Sequence, residues 1–213
     1  MRLFTYVVAR DYGFAPNPFG GTCTLATCKP EIRQFACIGD WVAGIASKAD
    51  EPIPSLVYAM RVDEVLSYED YWNDPRFSHK KPQRQSSLRH AYGDNIYSRD
   101  AAGNWLQLDS HHSLEDGSIN PRNVANDTQT NRILIGQKFA YWGVNAVPIP
   151  ANLINANGES VLLARGYRSH FSTAFIQAFV GWFESLQQQG YLGDPFQWHK
   201  ARATWAHPRP NWA

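Results

Sequence analysis

The chain has 213 residues, of which 44% are hydrophobic and 18% charged, with a formal net charge of +1. That composition supplies a sizeable core and excludes a disordered chain. Near-neutrality also excludes a protein that coats duplex DNA through many phosphates, because such a surface needs a clear basic excess. A small pocket for a nucleotide or a flipped base stays open. Aromatic residues make up 14% of the chain, and such rings either fill a core or stack on a planar ligand.

The cysteines, Cys23, Cys28 and Cys37, are odd in number and lie in one segment. This does not suit an oxidised framework. Their C-x4-C-x8-C spacing lacks neighbouring histidines and makes a poor zinc site, so buried reduced thiols are expected. The N-terminus has no signal-peptide design, and no run approaches membrane-spanning length. A cytoplasmic protein with no membrane partner is expected.

In chain order, residues 3–9 read as a buried strand. DYGFAPNPFGG, rich in Gly and Pro, reads as a loop. Thr22 is placed to cap a helix over part of 23–36, with a restart at Pro30. After a Gly39–Asp40 turn, WVAGIAS reads as a strand softened by Gly44. Residues 56–66 read as one alternating strand, with Val57, Ala59, Arg61, Asp63 and Val65 on one side. Tyr68–Trp72 reads as a helical turn.

Residues 76–99 are basic and read as a long loop, a kind of segment that is often functional. Residues 92–98 and 104–108 pair as a hairpin, and 110–127 reads as polar loop. Residues 132–135 and 139–142 read as strands, and 147–150 as an extended connector. Residues 173–189 carry an apolar stripe at helical spacing, capped by Ser172 or Thr173 and stopped by Gly190. The aromatic, Pro-rich tail is expected to lie across the surface. The expected fold class is α+β: a small curved mixed sheet or open barrel with flanking helices and a C-terminal amphipathic helix. The working surface is expected within residues 1–150, with 151–213 packed on the same domain as support.

Several segments carry the chemistry. Asn17–Thr24 (NPFGGTCT) either aims backbone N–H groups at a phosphate or is a plain turn; it is not a Walker loop. Tyr92–Tyr97 (YGDNIY) offers Asp94 and Asn95 to a base edge and Tyr92 or Tyr97 for stacking. Alternatively it is a Gly-Asp-Asn turn. Asp109–Ser113 (DSHHS), with Asp127 later, offers a general base, a nucleophile or metal ligands, with His111, His112 and Asp127 as the catalytic candidates. If the segment were a strand, the two histidines would face opposite ways. The zinc-deaminase pattern is absent. Neither a cofactor nor a metal ligand set can be read from these motifs.

Lys29–Lys48 (KPEIRQFACIGDWVAGIASK) resembles the nucleotide modification associated domain 2 family. So do PNPFGGTCTLATCKPEIR, LVYAMRVDEVLSYEDYWNDPRF, YGDNIY, the Asp109–Ser113 run and RILIGQKFAYWG. The resemblance covers roughly residues 2–150. A second, more distant similarity is to the strand entry of PUA/EVE-like barrels, which hold modified bases. Together these imply a role in modifying bases of bacterial or phage DNA, with a nucleotide or modified base as ligand and other proteins of such a system as partners. Whether the chain is an enzyme or a reader is left open by the resemblance. The pocket it suggests stacks a base between Trp41 and a tyrosine, with Ser47, Lys48, Asp94 and Asn95 around it and Lys29, Arg33 or Arg89 on phosphate. A non-enzymatic sensor of a small nucleotide signal, or a module that binds a partner protein, is the alternative.

Overall fold

The structure is a computed structural model, and it describes residues 1–48, 50, 53–155, 158–163 and 166–198. Its strands and helices are β1 (Leu3–Val8), β2 (Cys23–Leu25), α1 (Pro30–Phe35), β3 (Trp41–Ala46), β4 (Ser55–Arg61), β5 (Glu64–Leu66), α2 (Tyr68–Asn73), α3 (Leu88–Ala91), β6 (Tyr97–Arg99) and β7 (Trp105–Gln107). There follow α4 (Pro121–Asp127), β8 (Ile133–Gly136), β9 (Phe139–Tyr141), β10 (Val147–Pro148), α5 (Ala151–Ile154), β11 (Tyr167–Arg168), α6 (Thr173–Ser185) and β12 (Gly190–Tyr191).

The main sheet is mixed and open, in the order β11-β1-β3-β4-β9-β12, with β10 also on β4. β1 and β3 run parallel, as do β9 and β12. A second sheet, β2-β8-β5, lies over it, and β6-β7 forms a hairpin.

Side-chain alternation makes the layers. On one face of the main sheet, Leu3, Trp41, Ala43, Ile45 and Ala140 bury against α5 and α6. On the other, Phe4, Tyr6, Val42, Met60 and Tyr141 bury against the second sheet. In β8, Leu134 faces that core while Ile133 and Ile135 face outward. There they meet a third cluster, of Phe14, Tyr68, Tyr71, Tyr92, Tyr97 and Trp198. The second sheet is therefore a middle layer, and the polar segments fold over its outer side.

Gly44 is required by this packing. A Cβ there would lie 2.5 Å from both Tyr58 and Val8. Gly44→Ala is expected to cost about 1–3 kcal/mol, since overpacked cores strain their neighbours. Urea unfolding of the purified variant measures it, and a loss under ~0.5 kcal/mol would show that the site relaxes.

Several sequence expectations are corrected. Residues 23–25 form a strand rather than a Thr22-capped helix, because Cys23, Thr24 and Leu25 pair with β8; the helix begins at Pro30. Residues 56–66 are two strands in two sheets. Their alternation fails at a bulge: Ile45 pairs with Leu56 but Gly44 with Tyr58. The extra residue, Val57, puts Leu56 and Ala59 in the same core. The chain leaves β4 after Arg61, and between the strands the Asp63 carboxylate accepts the N–H groups of Gln137 and Lys138.

The 76–99 stretch is not a long loop. It contains a 3₁₀ turn over Pro75–Lys80 and α3, anchored by the buried Lys80. Residues 121–127 are helical, capped by the Asn120 side-chain oxygen, which accepts the Arg122 and Asn123 N–H groups. The Ser172-capped helix ends at Ser185, before Gly190. Gly190 instead begins β12. The tail is not wholly superficial, because Trp198 is buried and donates to the Tyr12 carbonyl; residues beyond it lie outside the described ones.

Candidate functional site: a cysteine, a histidine and a buried aspartate

Two loops and a helix end meet at the outer edge of the second sheet. Asp127, the last residue of α4, is fully buried. One of its oxygens, Oδ1, accepts the Cys28 backbone N–H at 2.8 Å. The other, Oδ2, accepts the Tyr97 hydroxyl at 2.9 Å and pairs with His112 Nδ1 at 2.6 Å. On the far side of the imidazole, His112 Nε2 lies 3.6 Å from Cys28 Sγ. Thiol, imidazole and carboxylate thus stand in line, and Cys28 is only partly buried.

Local structure holds each member. Cys28 and Lys29 both have positive φ, 57° and 41°. Residues with a Cβ adopt this region at a cost of order 1–3 kcal/mol and do so mostly at functional sites. The strained pair is clamped by Asp127 on the Cys28 N–H and by Arg33 Nε on the Cys28 carbonyl, at 2.8 Å. Pro30 then opens α1 with a φ already helical. His112 sits in a turn in which its N–H donates to Ser110 Oγ. Its carbonyl accepts from Asn123 Nδ2 and Gln107 Nε2.

Because the segment is a turn, the adjacent histidines separate by role. Burial, then the charge of His112, holds His111 well below the usual imidazole range. It is a neutral ring packed on Tyr12, Phe14 and Tyr92. For His112 burial acts the same way, but bonds to Asp127 and then Cys28 outweigh it and raise the imidazolium to about 10. Burial would raise Asp127, yet its bond to His112 and the Cys28 and Tyr97 donors hold it low.

This pair is linked to stability through pH. The His112 contribution is complete below its unfolded value near 6.5 and is lost as pH rises through about 10. The Asp127 contribution is present above 3.8 and is lost as pH falls through the lowered folded value. Asp127→Asn is therefore expected to destabilise most near pH 6, with the gap to wild type narrowing by about pH 10. Urea melts at both values test this; a gap that does not change with pH would contradict the ion pair.

The same three side chains bring possible ligand atoms within 4.8 Å of one another. Asp127, however, occupies Nδ1 while Cys28 faces Nε2. A cation between sulfur and Nε2 would leave Asp127 behind the ring as a partner of the histidine. The order of carboxylate, imidazole and sulfur is the one a proton relay requires.

Trp41 packs edge-on to Phe183, ring centres 4.9 Å apart, on the α6 face of the main sheet. The expected base pocket between Trp41 and a tyrosine, with Asp94 and Asn95 around it, is therefore not formed, because two sheets separate Trp41 from Asp94 and Asn95. Asp94 is inside the core, accepting from Thr24 Oγ1 at 2.6 Å and the Tyr71 hydroxyl at 2.8 Å. Asn95 donates to the Tyr71 and Phe77 carbonyls. Neither offers its hydrogen-bonding edge to a ligand.

Tyr92 is buried on Tyr12, and Tyr97 serves Asp127. Arg33 is buried and engaged with backbone carbonyls, so it does not reach phosphate. Lys29 lies over the Tyr6 ring at 4.7 Å. Ser47 donates to Asp50, and Lys48 is exposed beside it, both away from the relay. Arg89 lines a separate cavity. Cys28 is the residue that sequence reasoning missed; an isolated Cys with His and Asp elsewhere in the chain was the available signal.

A family model described as nucleotide modification associated domain 2 matches residues 1–202. The match runs well past residue 150 and takes in β12 and Trp198. No curated protein and no solved structure matches the chain.

Proposed function

The chain belongs to the nucleotide modification associated domain 2 family, and on that premise we propose that it is a thiol-dependent enzyme acting on an acyl group of a nucleobase or of a nucleobase-linked substrate. The observation that carries this reading is the line Cys28 Sγ, His112 Nε2, His112 Nδ1, Asp127 Oδ2. That order supports nucleophilic catalysis at a carbonyl, where the imidazole handles the proton and the buried carboxylate orients it. The strained backbone at Cys28, outside any regular element, adds to it.

In the reacting form the thiol proton sits on His112. The Cys28 sulfur adds to the carbonyl carbon, and the bond to the leaving amine or alkoxide then breaks. His112 passes its proton to that leaving group, so a thioester and a neutral product result. Water or an acceptor amine next attacks the thioester, giving its proton to His112, and the Cys28 sulfur leaves as thiolate, which restores the starting pair. Asp127 stays a carboxylate throughout, and Tyr97 holds it in place. A modified base in DNA as the ultimate target, companion proteins of a modification system and a cytoplasmic setting are parts of the same reading. No helix among the described residues is long and apolar enough to cross a membrane.

The test is nucleoside analysis of DNA from host cells that carry the remaining modification proteins. With Cys28→Ala or Asp127→Asn, the modified nucleoside is expected to fall to background while folded protein persists. Unchanged content with Cys28→Ala would overturn the enzymatic reading in favour of a non-catalytic sensor.

A further inference from the structure

A second concave site lies at the opposite end of β2 from Cys28. Its volume is about 480 Å³, and its walls include Gly20, Gly21, His79, Arg89, His90 and Tyr191. Among its lining residues there are basic side chains and no Asp or Glu. The protein as a whole is nearly neutral, so this one-signed concavity is a local feature.

Its donors are prearranged. The Arg89 guanidinium lies over the Tyr191 ring at 4.6 Å and the Phe19 ring at 5.9 Å. The Arg89 side chain also hydrogen-bonds Tyr191, and among the described residues it forms no ion pair with a carboxylate. Gly20 and Gly21 have φ of +76° and +84°. Successive residues turned this way expose their N–H groups, and neither N–H donates to a backbone carbonyl among the described residues. A Cβ on Gly20 would fall 1.8 Å from His79 Nε2, whereas one on Gly21 would meet nothing within 4 Å. His79 Nε2 is itself buried without a hydrogen-bond partner among the described residues.

Lys80 does not belong to this donor set. Its ammonium is spent on the Asn17 carbonyl and side chain, the Thr22 carbonyl and Thr24 Oγ1, at 2.8–3.1 Å. Those bonds instead pin the Asn17–Thr24 loop that carries the glycines. Burial pushes the Lys80 ammonium down to about 8.

We propose that this cavity binds the phosphate group of a nucleotide or of a nucleic-acid end. A guanidinium fork, two backbone N–H groups and an imidazole suit a tetrahedral oxyanion with several acceptor oxygens. The assignment is independent of the thiol chemistry, since the cavity shares no residue with the Cys28 relay.

The experiment is isothermal titration at low salt with three probes: inorganic phosphate, a nucleoside 5′-monophosphate, and a short 5′-phosphorylated single strand. The unphosphorylated nucleoside and strand serve as comparisons. At least one phosphorylated probe is expected to bind one per chain, and its unphosphorylated partner is not. Which probe binds tells a free nucleotide from a strand end. Arg89→Gln, at an exposed position, is expected to weaken binding at least roughly tenfold, the value of one charge-assisted hydrogen bond. Cys28→Ala is expected to leave it unchanged. Absence of saturable binding by every probe, or equal binding by Arg89→Gln, would overturn the assignment. Loss of base modification without loss of phosphate binding in Cys28→Ala keeps the two proposals distinguishable.

Discussion

Alkylation of the native protein by iodoacetamide is expected to mark Cys28 and Cys37 but not Cys23, and only the Cys28 reaction is expected to slow when His112 is replaced by Ala. Cys23 is buried in the core under the main sheet, and Cys37 is exposed. Among the described residues Cys37 has no imidazole beside it; its sulfur meets Arg2 at 3.4 Å. The thiolate is the reacting species, and His112 is the group placed to accept the Cys28 proton. Positioned proton transfer contributes about 10²–10⁴-fold, so a slowing of about 10²-fold in His112→Ala is expected. Asp127→Asn should slow the same cysteine, by less, because the imidazole stays but loses its orienting partner. Peptide mapping after timed quenching reads all three sulfurs in one experiment. Equal slowing at Cys37 would mean general loosening, and no slowing at Cys28 would remove His112 from the relay.

Arg33→Met is expected to give the largest loss of stability among the variants considered, about 3 kcal/mol. Arg33 is fully buried, and its donors end on backbone carbonyls and on one tyrosine hydroxyl. Nε reaches the Cys28 carbonyl at 2.8 Å, and Nη1 reaches the Arg132 carbonyl at 2.9 Å and the Tyr68 hydroxyl at 3.0 Å. Nη2 reaches the Asp127 carbonyl. One guanidinium therefore ties the Cys28 turn, the end of α4 and the approach to β8 together. Met keeps much of the volume but leaves three carbonyls without this donor in a dry interior. Arg33→Lys should recover little, since one ammonium cannot span the planar fork. Equilibrium urea unfolding checks this; a loss below ~1 kcal/mol for Arg33→Met would contradict the clamp.

What could be read in the sequence was what local chemistry determines. β1, β3 and the hairpin follow from β-rich runs and turn residues, and α6 follows from its phenylalanine stripe and Ser172 cap. β2 was missed because Cys-Thr-Leu is too short to show a period, and its pairing with β8 lies over a hundred residues away in the chain. The 56–66 alternation looked continuous because a bulge leaves no mark on residue type. His112 and Asp127 were recognisable as reactive types, and the structure joins them. Arg33 and Asp94 suggested a surface because they are charged, whereas each is buried with partners supplied by elements distant in the chain. Cys28 was unremarkable alone; it gains chemistry only from residues 112 and 127, which the fold brings to it.

Whether Cys28 is a nucleophile toward acyl carbonyls is decided by its pre-steady-state reaction with p-nitrophenyl acetate. Wild-type protein is predicted to release a burst of about one p-nitrophenolate per chain, as acyl-enzyme chemistry does. Peptide mass analysis is predicted to find the acetyl group on Cys28, with no burst in Cys28→Ser. No burst, or an acetyl group found on Cys37 while Cys28 stays free, would contradict the account.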